Sequence, residues 1–360
     1  MNKRQDFKSA LNEMEGVEQP AQINTDAVNK LRAKSRKVLT TEEFVYGIRS
    51  GNRTILSKAI TMTESSLHSH QQKAQEIIND CLPFSGKSIR IGITGVPGVG
   101  KSTFIEALGM YLISLGHQVT VLAIDPSSTR SKGSILGDKT RMEELSVNPK
   151  AFIRPSPTAG SLGGVARKTR ETIVLCEAAG FDVILVETVG VGQSEITVRS
   201  MVDFFLLLML SGAGDELQGI KRGIMEMADA IFINKADGDN MTKAKAAKIE
   251  YENALHLYPP AESGWKPVTG ICSARTGSGI ESVWKHIEEY AAVTRLNGYF
   301  EHQRRQQFRQ VLTETIEQAL KRDFYNRKDI AQALAHYEKE VLSGKISPYT
   351  AAAVLLEKYQ

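Results

Sequence analysis

The run Gly95-Val96-Pro97-Gly98-Val99-Gly100-Lys101-Ser102 restricts what this chain can fold into more than any other feature of it. It matches G-x-x-x-x-G-K-[ST], and it stands where that pattern needs to stand. SIRIGITG, a short β-branched stretch, runs into it, and KSTFIEALGMYLISLG returns to helical period after it. A strand, a glycine turn and a helix in that order make a phosphate cradle. The glycines let successive N–H groups face one centre, and the helix N-terminus adds positive potential. In such a cradle Lys101 reaches the β and γ oxygens of a nucleotide and the Ser102 hydroxyl ligates magnesium, with Gly95, Gly98, Val99, Gly100 and Thr103 completing the phosphate contacts. A chance glycine turn would account for a lone GxG, not for the whole string in this context.

Five further apolar stretches follow, QVTVLAID, FDVILVE, DFFLLLML, AIFINK and KPVTGICSA, with helical stretches between most of them. Continuous apolar strands alternating with helices predict an α/β fold with a mainly parallel, doubly wound sheet covered on both faces. Residues 1–38 are polar and aperiodic and are read as a flexible leader. Residues 39–86 form an N-terminal helical region, opened by T-x-x-E at Thr40–Glu43 and broken near Gly51 and Asn52. The nucleotide domain takes residues 87–297, and residues 298–360 a helical arm in which Phe308, Leu312, Ile316 and Leu320 recur every fourth position. That apolar spacing suits either a dimer contact or an extra helical layer on the same subunit.

Composition excludes more than it proposes. With 360 residues, 41% hydrophobic and 24% charged, the chain has material for a large core, and a net charge of +4 spread among nearly equal acids and bases is no argument for nucleic acid. Cys81, Cys176 and Cys272 are far apart and share no metal or disulfide spacing. The first twenty residues, with Lys3, Arg4, Asp6, Glu13, Glu15 and Glu18, fit no secretory or transit signal, and the longest apolar run, Phe204–Leu210, is too short to span a bilayer. The expectation is a cytoplasmic protein with no membrane partner.

Two more strings narrow the ligand. Asn234-Lys235-Ala236-Asp237 closes AIFINK in the N-K-x-D form. A carboxylate there accepts hydrogen bonds from the N1–H and 2-amino group of guanine, donors that adenine does not present in that arrangement. Ser273-Ala274 after the last strand suits a backbone contact to the base, and equally suits an ordinary strand end. Glu187-Thr188-Val189-Gly190 follows FDVILV directly, so Glu187 can hold a magnesium-bound water and Gly190 can offer its N–H to the γ-phosphate. Asp125 and Asp138 are further candidates for the magnesium shell, although Asp138 alone reads as a solvated loop residue. Gln193 is not adjacent to Gly190 and is assigned no water-orienting role.

GVPGVGKST, AIDPSST, GSILGDKTRM, ETVGVGQSE and NKAD, in this order, resemble the MeaB/ArgK/MMAA family of cobalamin-linked GTPases of the SIMIBI class over roughly residues 40–355. The resemblance implies a GTPase that hydrolyses GTP to GDP with Mg2+. It carries catalytic positions to Lys101, Ser102, Asp125, Asp138 and Glu187. It also implies a homodimer bound to an adenosylcobalamin-dependent acyl-CoA mutase, usually methylmalonyl-CoA mutase, whose cofactor loading it gates and which it protects. Ser211–Gly223 resembles the family's additional switch loop, with Asp215, Glu216 and Lys221 as charged members; without the resemblance it reads as a solvated loop.

Two rival readings follow from the same strings. A metal-insertion GTPase of the nickel-chaperone type needs clustered Cys or His, and the one close pair, His68 and His70, sits at i, i+2 and does not share a helix face. A kinase of a transport component would need an acceptor site, and the chain lacks HRD and DFG signatures.

Overall fold

The computed structural model describes residues 39–124, 142–155, 162–188, 194–212 and 222–359. Seven strands form one wholly parallel sheet: β1 (Ile89–Gly95), β2 (Val119–Ile124), β3 (Ala151–Pro155), β4 (Val183–Thr188), β5 (Phe204–Met209), β6 (Ala230–Ile233) and β7 (Val268–Ile271). Their order is β3-β2-β4-β1-β5-β6-β7. Every residue of β1, β2, β4, β5 and β6 is buried, which is why these strands read as unbroken apolar runs with no alternation.

Sequence reasoning named six of these strands and missed β3. AFIRP is only five residues long and ends in proline, which has no N–H for a ladder. As an edge strand paired on one side with β2, it tolerates that loss.

One face of the sheet is covered by α4 (Lys101–Ser114), α5 (Glu143–Val147) and α10 (Ile280–Leu296), which bring Phe104, Leu108, Leu145, Trp284 and Ile287 onto Ile91, Ile93 and Leu206. Beyond β5, α8 (Arg222–Met227) and α9 (Met241–Leu255) pack Met225 and Tyr251 against Ile231 and Ile233. The helices α6 (Leu162–Ala178) and α7 (Ser194–Arg199) complete the layers around the sheet.

Before the sheet come α1 (Thr41–Arg49), α2 (Arg53–Glu64) and α3 (His68–Cys81). The break expected near Gly51 and Asn52 is there. Asn52 caps α2, its side-chain oxygen accepting from the N–H groups of Thr54 and Ile55 at 3.1 and 3.2 Å. A second break at Ser65–Leu67 was not expected. These helices lean on α6, where Gln75 donates to Glu171 at 2.8 Å and Lys168 donates to the Glu64 carbonyl at 2.9 Å. After α10 come three more helices: α11 (Tyr299–Asn326), α12 (Lys328–Leu342) and α13 (Pro348–Tyr359). Among the described residues no helix is long and apolar enough to cross a membrane.

Candidate functional site

β1 lies between β4 and β5, so the chain order reverses around it, and the crevice outside its carboxyl end is where such sheets take ligands. The glycine string leaves the sheet at that point. Gly95 has φ +153°, and a Cβ there would lie 2.3 Å from the Leu208 carbonyl oxygen; Gly100, at φ +92°, starts α4. Neither position accepts a side chain without strain. Lys101 then begins the helix, and its ammonium donates to the carbonyls of Gly95 at 2.8 Å and Val96 at 3.4 Å. Burial pulls Lys101 below the usual lysine range, while the carboxylates of Glu187 and Glu195 oppose that shift. A cation this well desolvated gains most from an anion brought to it.

Beside it, the Ser102 hydroxyl donates to Glu187 Oε1 at 3.1 Å. Glu187 is buried at the end of β4, and the next residue bonds across to β1, Thr188 Oγ1 donating to Thr94 Oγ1 at 2.8 Å. Sequence reasoning placed Ser102 and Glu187 together but overlooked this pair of buried hydroxyls, which locks the ends of two strands that carry the site. Thr103 is exposed in the first turn of α4. A hydroxyl and a buried carboxylate are hard oxygen donors of the kind Mg2+ takes, so they fit that ion. Among the described residues no three His, Cys, Asp or Glu side chains gather as a metal cluster. Asp125, Asp138 and Gly190 lie outside the described residues, as do Asp215, Glu216 and Lys221.

The strings expected to read a base converge on the same glycine turn. Asn234 is buried, donates from Nδ2 to the Val99 carbonyl at 2.9 Å, and accepts at Oδ1 from the N–H of Ala274 at 3.1 Å. One amide therefore ties the phosphate loop to the loop after β7. Lys235, at φ +59°, donates to the Gly98 carbonyl at 2.8 Å. Asp237 is half-buried, and the fully buried Ser273 hydroxyl donates to its Oδ2 at 2.5 Å, which leaves Oδ1 and the outer lone pairs free for a ligand edge. The N–H of Ala236 reaches the Cys272 carbonyl at 3.0 Å. Asn240 was also missed: it accepts from Ser211 at 2.6 Å and donates to the Lys235 carbonyl at 2.7 Å, fixing the left-handed turn. No spacing rule would have singled it out, because its partners are a main-chain atom and a residue 29 positions away.

Residues 56–329 match the family model for methylmalonyl Co-A mutase-associated GTPase MeaB. A probable GTPase of Mycobacterium tuberculosis is 48% identical over 318 residues, covering 88% of this chain and 95% of the relative. The GTPase ArgK of Escherichia coli is 43% identical over 321 residues, with 89% and 97% covered. A mouse protein named methylmalonic aciduria type A homolog, mitochondrial, is 44% identical over 324 residues, with 87% and 78% covered. Among solved structures, one named LAO/AO transport system kinase superposes with a TM-score of 0.72 at 37% identity, covering 89% of this chain and 97% of that one.

Proposed function

Since the chain belongs to the MeaB family of methylmalonyl-CoA mutase-associated GTPases, we propose that it spends GTP on the control of an adenosylcobalamin-dependent acyl-CoA mutase. The observation that carries the nucleotide reading is the Asn234 amide, which bonds the phosphate cradle at Val99 and the base loop at Ala274 at once. Phosphate and base are then recognised by one connected unit, and a guanine nucleotide spans it.

In this reading the N–H groups of Gly98, Val99, Gly100, Lys101 and Ser102 take the phosphates, and Lys101 trades its bonds to Gly95 and Val96 for β and γ oxygens. Lys101 is thereby aimed at charge that grows on the transferred phosphoryl group. Asp237, steadied by Ser273, accepts from guanine N1–H and the 2-amino group, while the Ala274 main chain borders the base. Ser102 and Glu187 would hold Mg2+, with Asp125 and Asp138 as further members; when bound, the ion neutralises phosphate charge. Gly190 is assigned the γ-phosphate, and Asp215, Glu216 and Lys221 the coupling to the mutase. No glutamine follows Gly190 directly, so hydrolysis is expected to be slow until the partner completes the site.

The C-terminal helices supply the homodimer contact in this reading: Phe308, Leu312, Ile316 and Leu320 on α11 are each more than half exposed. The working compartment is taken as the cytoplasm, with no nucleic-acid or membrane partner.

Calorimetry with GTP and ATP tests the ligand, and equal affinities would remove the guanine assignment. Steady-state GTP turnover with and without the cobalamin mutase of the same cell tests the partner. Absence of stimulation would leave a GTPase and remove the mutase role. Transfer of labelled γ-phosphate to a protein instead of to water would favour the kinase activity for which the solved relative is named.

A further inference from the structure

Helix α7 is a short rod of six residues, about 9 Å long at roughly 1.5 Å per residue, lying between the nucleotide site and the C-terminal helices. Its first turn carries Glu195, buried to 4% exposure, whose charge acts on Lys101. Val198 is fully buried beneath it. Its far end runs into Ser200–Asp203, the link to β5, and α11 bonds Val202 and Asp203 of that link.

Arg170 on α6 stands between the two, donating from Nη2 to Ser200 Oγ at 2.7 Å and from Nη1 to Glu314 Oε2 on α11 at 2.6 Å. Gln303 and Gln307 of α11 both donate to the Val202 carbonyl, at 3.2 and 2.8 Å. Arg304 takes the Asp203 carboxylate in two bonds of 2.9 and 2.7 Å. Four side chains thus read one four-residue link. Further along α11, Gln318 lies so close to the start of α6 that a Cβ on Gly163 would meet its Nε2 at 2.5 Å.

Packing is incomplete between these three helices. A cavity of about 320 Å³ opens between α6, α7 and α11, bordered by Gly163, Arg170, Ile196, Ser200, Glu314 and Gln318. Ile196 of α7 is 63% exposed beside it, and the buried Arg170 Nε has no hydrogen-bond partner. Well-filled cores resist displacement, whereas an apolar side chain next to such a space has somewhere to go.

We propose that Arg170, Gln303 and Gln307 are positioning residues for the nucleotide site. Through Ser200–Asp203 they set the seat of α7, and so of Val198 where it packs on Gly92 of β1, the strand that enters the cradle, and the seat of α11 and the occupant of the cradle are coupled. The inference rests on the reading of the site as a guanine-nucleotide site in which Lys101 meets the γ-phosphate at the end of β1, the strand on which α7 packs. GDP and GTP then differ in what they ask of α7, and only such a difference can move an equilibrium. Coupling is reciprocal: a nucleotide that reseats α7 changes α11, and a change in the grip changes the preference between nucleotides.

Hydrogen exchange on the full chain, saturated with GDP and with a non-hydrolysable GTP analogue in magnesium buffer, tests this without any substitution. Protection across 303–318 is expected to differ by about fivefold or more between the two states. Calorimetry on the same samples gives the two dissociation constants. Arg170→Met should shrink the exchange difference and change the GDP-to-analogue affinity ratio by about fivefold. Glu314→Gln, which keeps an oxygen acceptor for Arg170, should lie nearer to the wild type, and Gln307→Leu supplies an independent loss of grip if Arg170→Met does not fold. Equal protection in two states that calorimetry shows to be fully bound overturns the coupling and leaves the nucleotide site standing. An exchange difference that survives unchanged in both folded loss-of-grip variants overturns the role of these residues. Failure of the wild type to bind either nucleotide overturns both readings.

Discussion

The two ends of the parallel sheet are built on opposite plans. At the carboxyl end, polar side chains bond to loop carbonyls and to one another: Lys101 to Gly95, Asn234 to Val99, Lys235 to Gly98, Ser102 to Glu187. Lys101 can exchange its carbonyl acceptors for phosphate oxygens, and Ser102 and Glu187 can both turn their oxygens to a cation. At the amino end, charges are closed on themselves. Arg90 holds Glu177 in two bonds of 2.8 and 3.0 Å, and Ser88 donates to the same carboxylate. Arg304 holds Asp203 and adds the carbonyls of Gly86 and Ser88, while Asp203 accepts the Arg90 N–H at 2.8 Å. Arg199 pairs with the buried Asp229 at 3.2 Å. Each of these buried charges already has its partner in the fold. A replaceable bond makes a site and a closed network makes a joint, although the residue types are the same.

The sharpest way to break this contrast is at the joint. Arg304→Ala would leave the Asp203 carboxylate and two carbonyls buried without their partner, and a loss of about 3–5 kcal/mol is expected. Denaturant unfolding reads it, and the preference of the folded fraction for GTP over ATP should not move. A loss under about 1 kcal/mol would show the joint to be dispensable.

Lys101→Ala reverses the pattern. Removing the ammonium aimed at the phosphoryl group should lower GTP turnover by about 10²–10³-fold, since one such donor is worth about 2.7–4 kcal/mol in a transition state. The melting temperature should change little, because the hydrogen bonds described for Lys101 run to two main-chain carbonyls at the end of β1, those of Gly95 and Val96. A parallel collapse of stability would make it a structural residue.

Asp229 sharpens the comparison through pH. Burial pushes its carboxyl up to about 6 from 3.8, against the pull of Arg199 and the Phe205 N–H, with Asp203 adding to the rise. The sign follows from proton uptake: between these two values the folded chain holds more protons than the unfolded one, so stability contributed by Asp229 falls as pH rises through that window. Asp229→Asn should remove a slope of at most about 1.4 kcal/mol per pH unit between roughly pH 4 and 6, seen as the difference between wild-type and variant unfolding curves. No difference in slope would mean that Asp229 is already ionised there.

The smallest effect is expected at the base loop. Asp237→Ala should weaken GTP binding by about 1–3 kcal/mol, the cost of leaving base donors unpaired, with much less change for ATP. Calorimetry with both nucleotides decides it, and equal losses would place Asp237 away from the base.

Most of the carboxyl end is legible in the amino-acid sequence, and almost none of the amino end is. The glycine string, N-K-x-D and Glu187 are short runs whose chemistry is set by neighbours in sequence, because only a few residue types allow a backbone cradle, a left-handed turn or a carboxylate at a strand end. Six strands show themselves by apolar runs, and the parallel doubly wound sheet follows from their alternation with helices. β3 escapes because five residues ending in Pro155 carry too little pattern. What the tertiary structure alone decided is which distant residues share one space. Arg304 meets Ser88 across 216 positions, Arg170 meets Glu314 across 144, and Asn234 reaches Val99 across 135. An arginine in a helical pattern reads the same whether it faces water or a buried carboxylate, because the pattern reports on its own helix and the partner is brought up by the packing of another. The sequence by itself therefore determined what the loops of this protein can hold, and only the packing of α6, α7 and α11 determined what holds the loops.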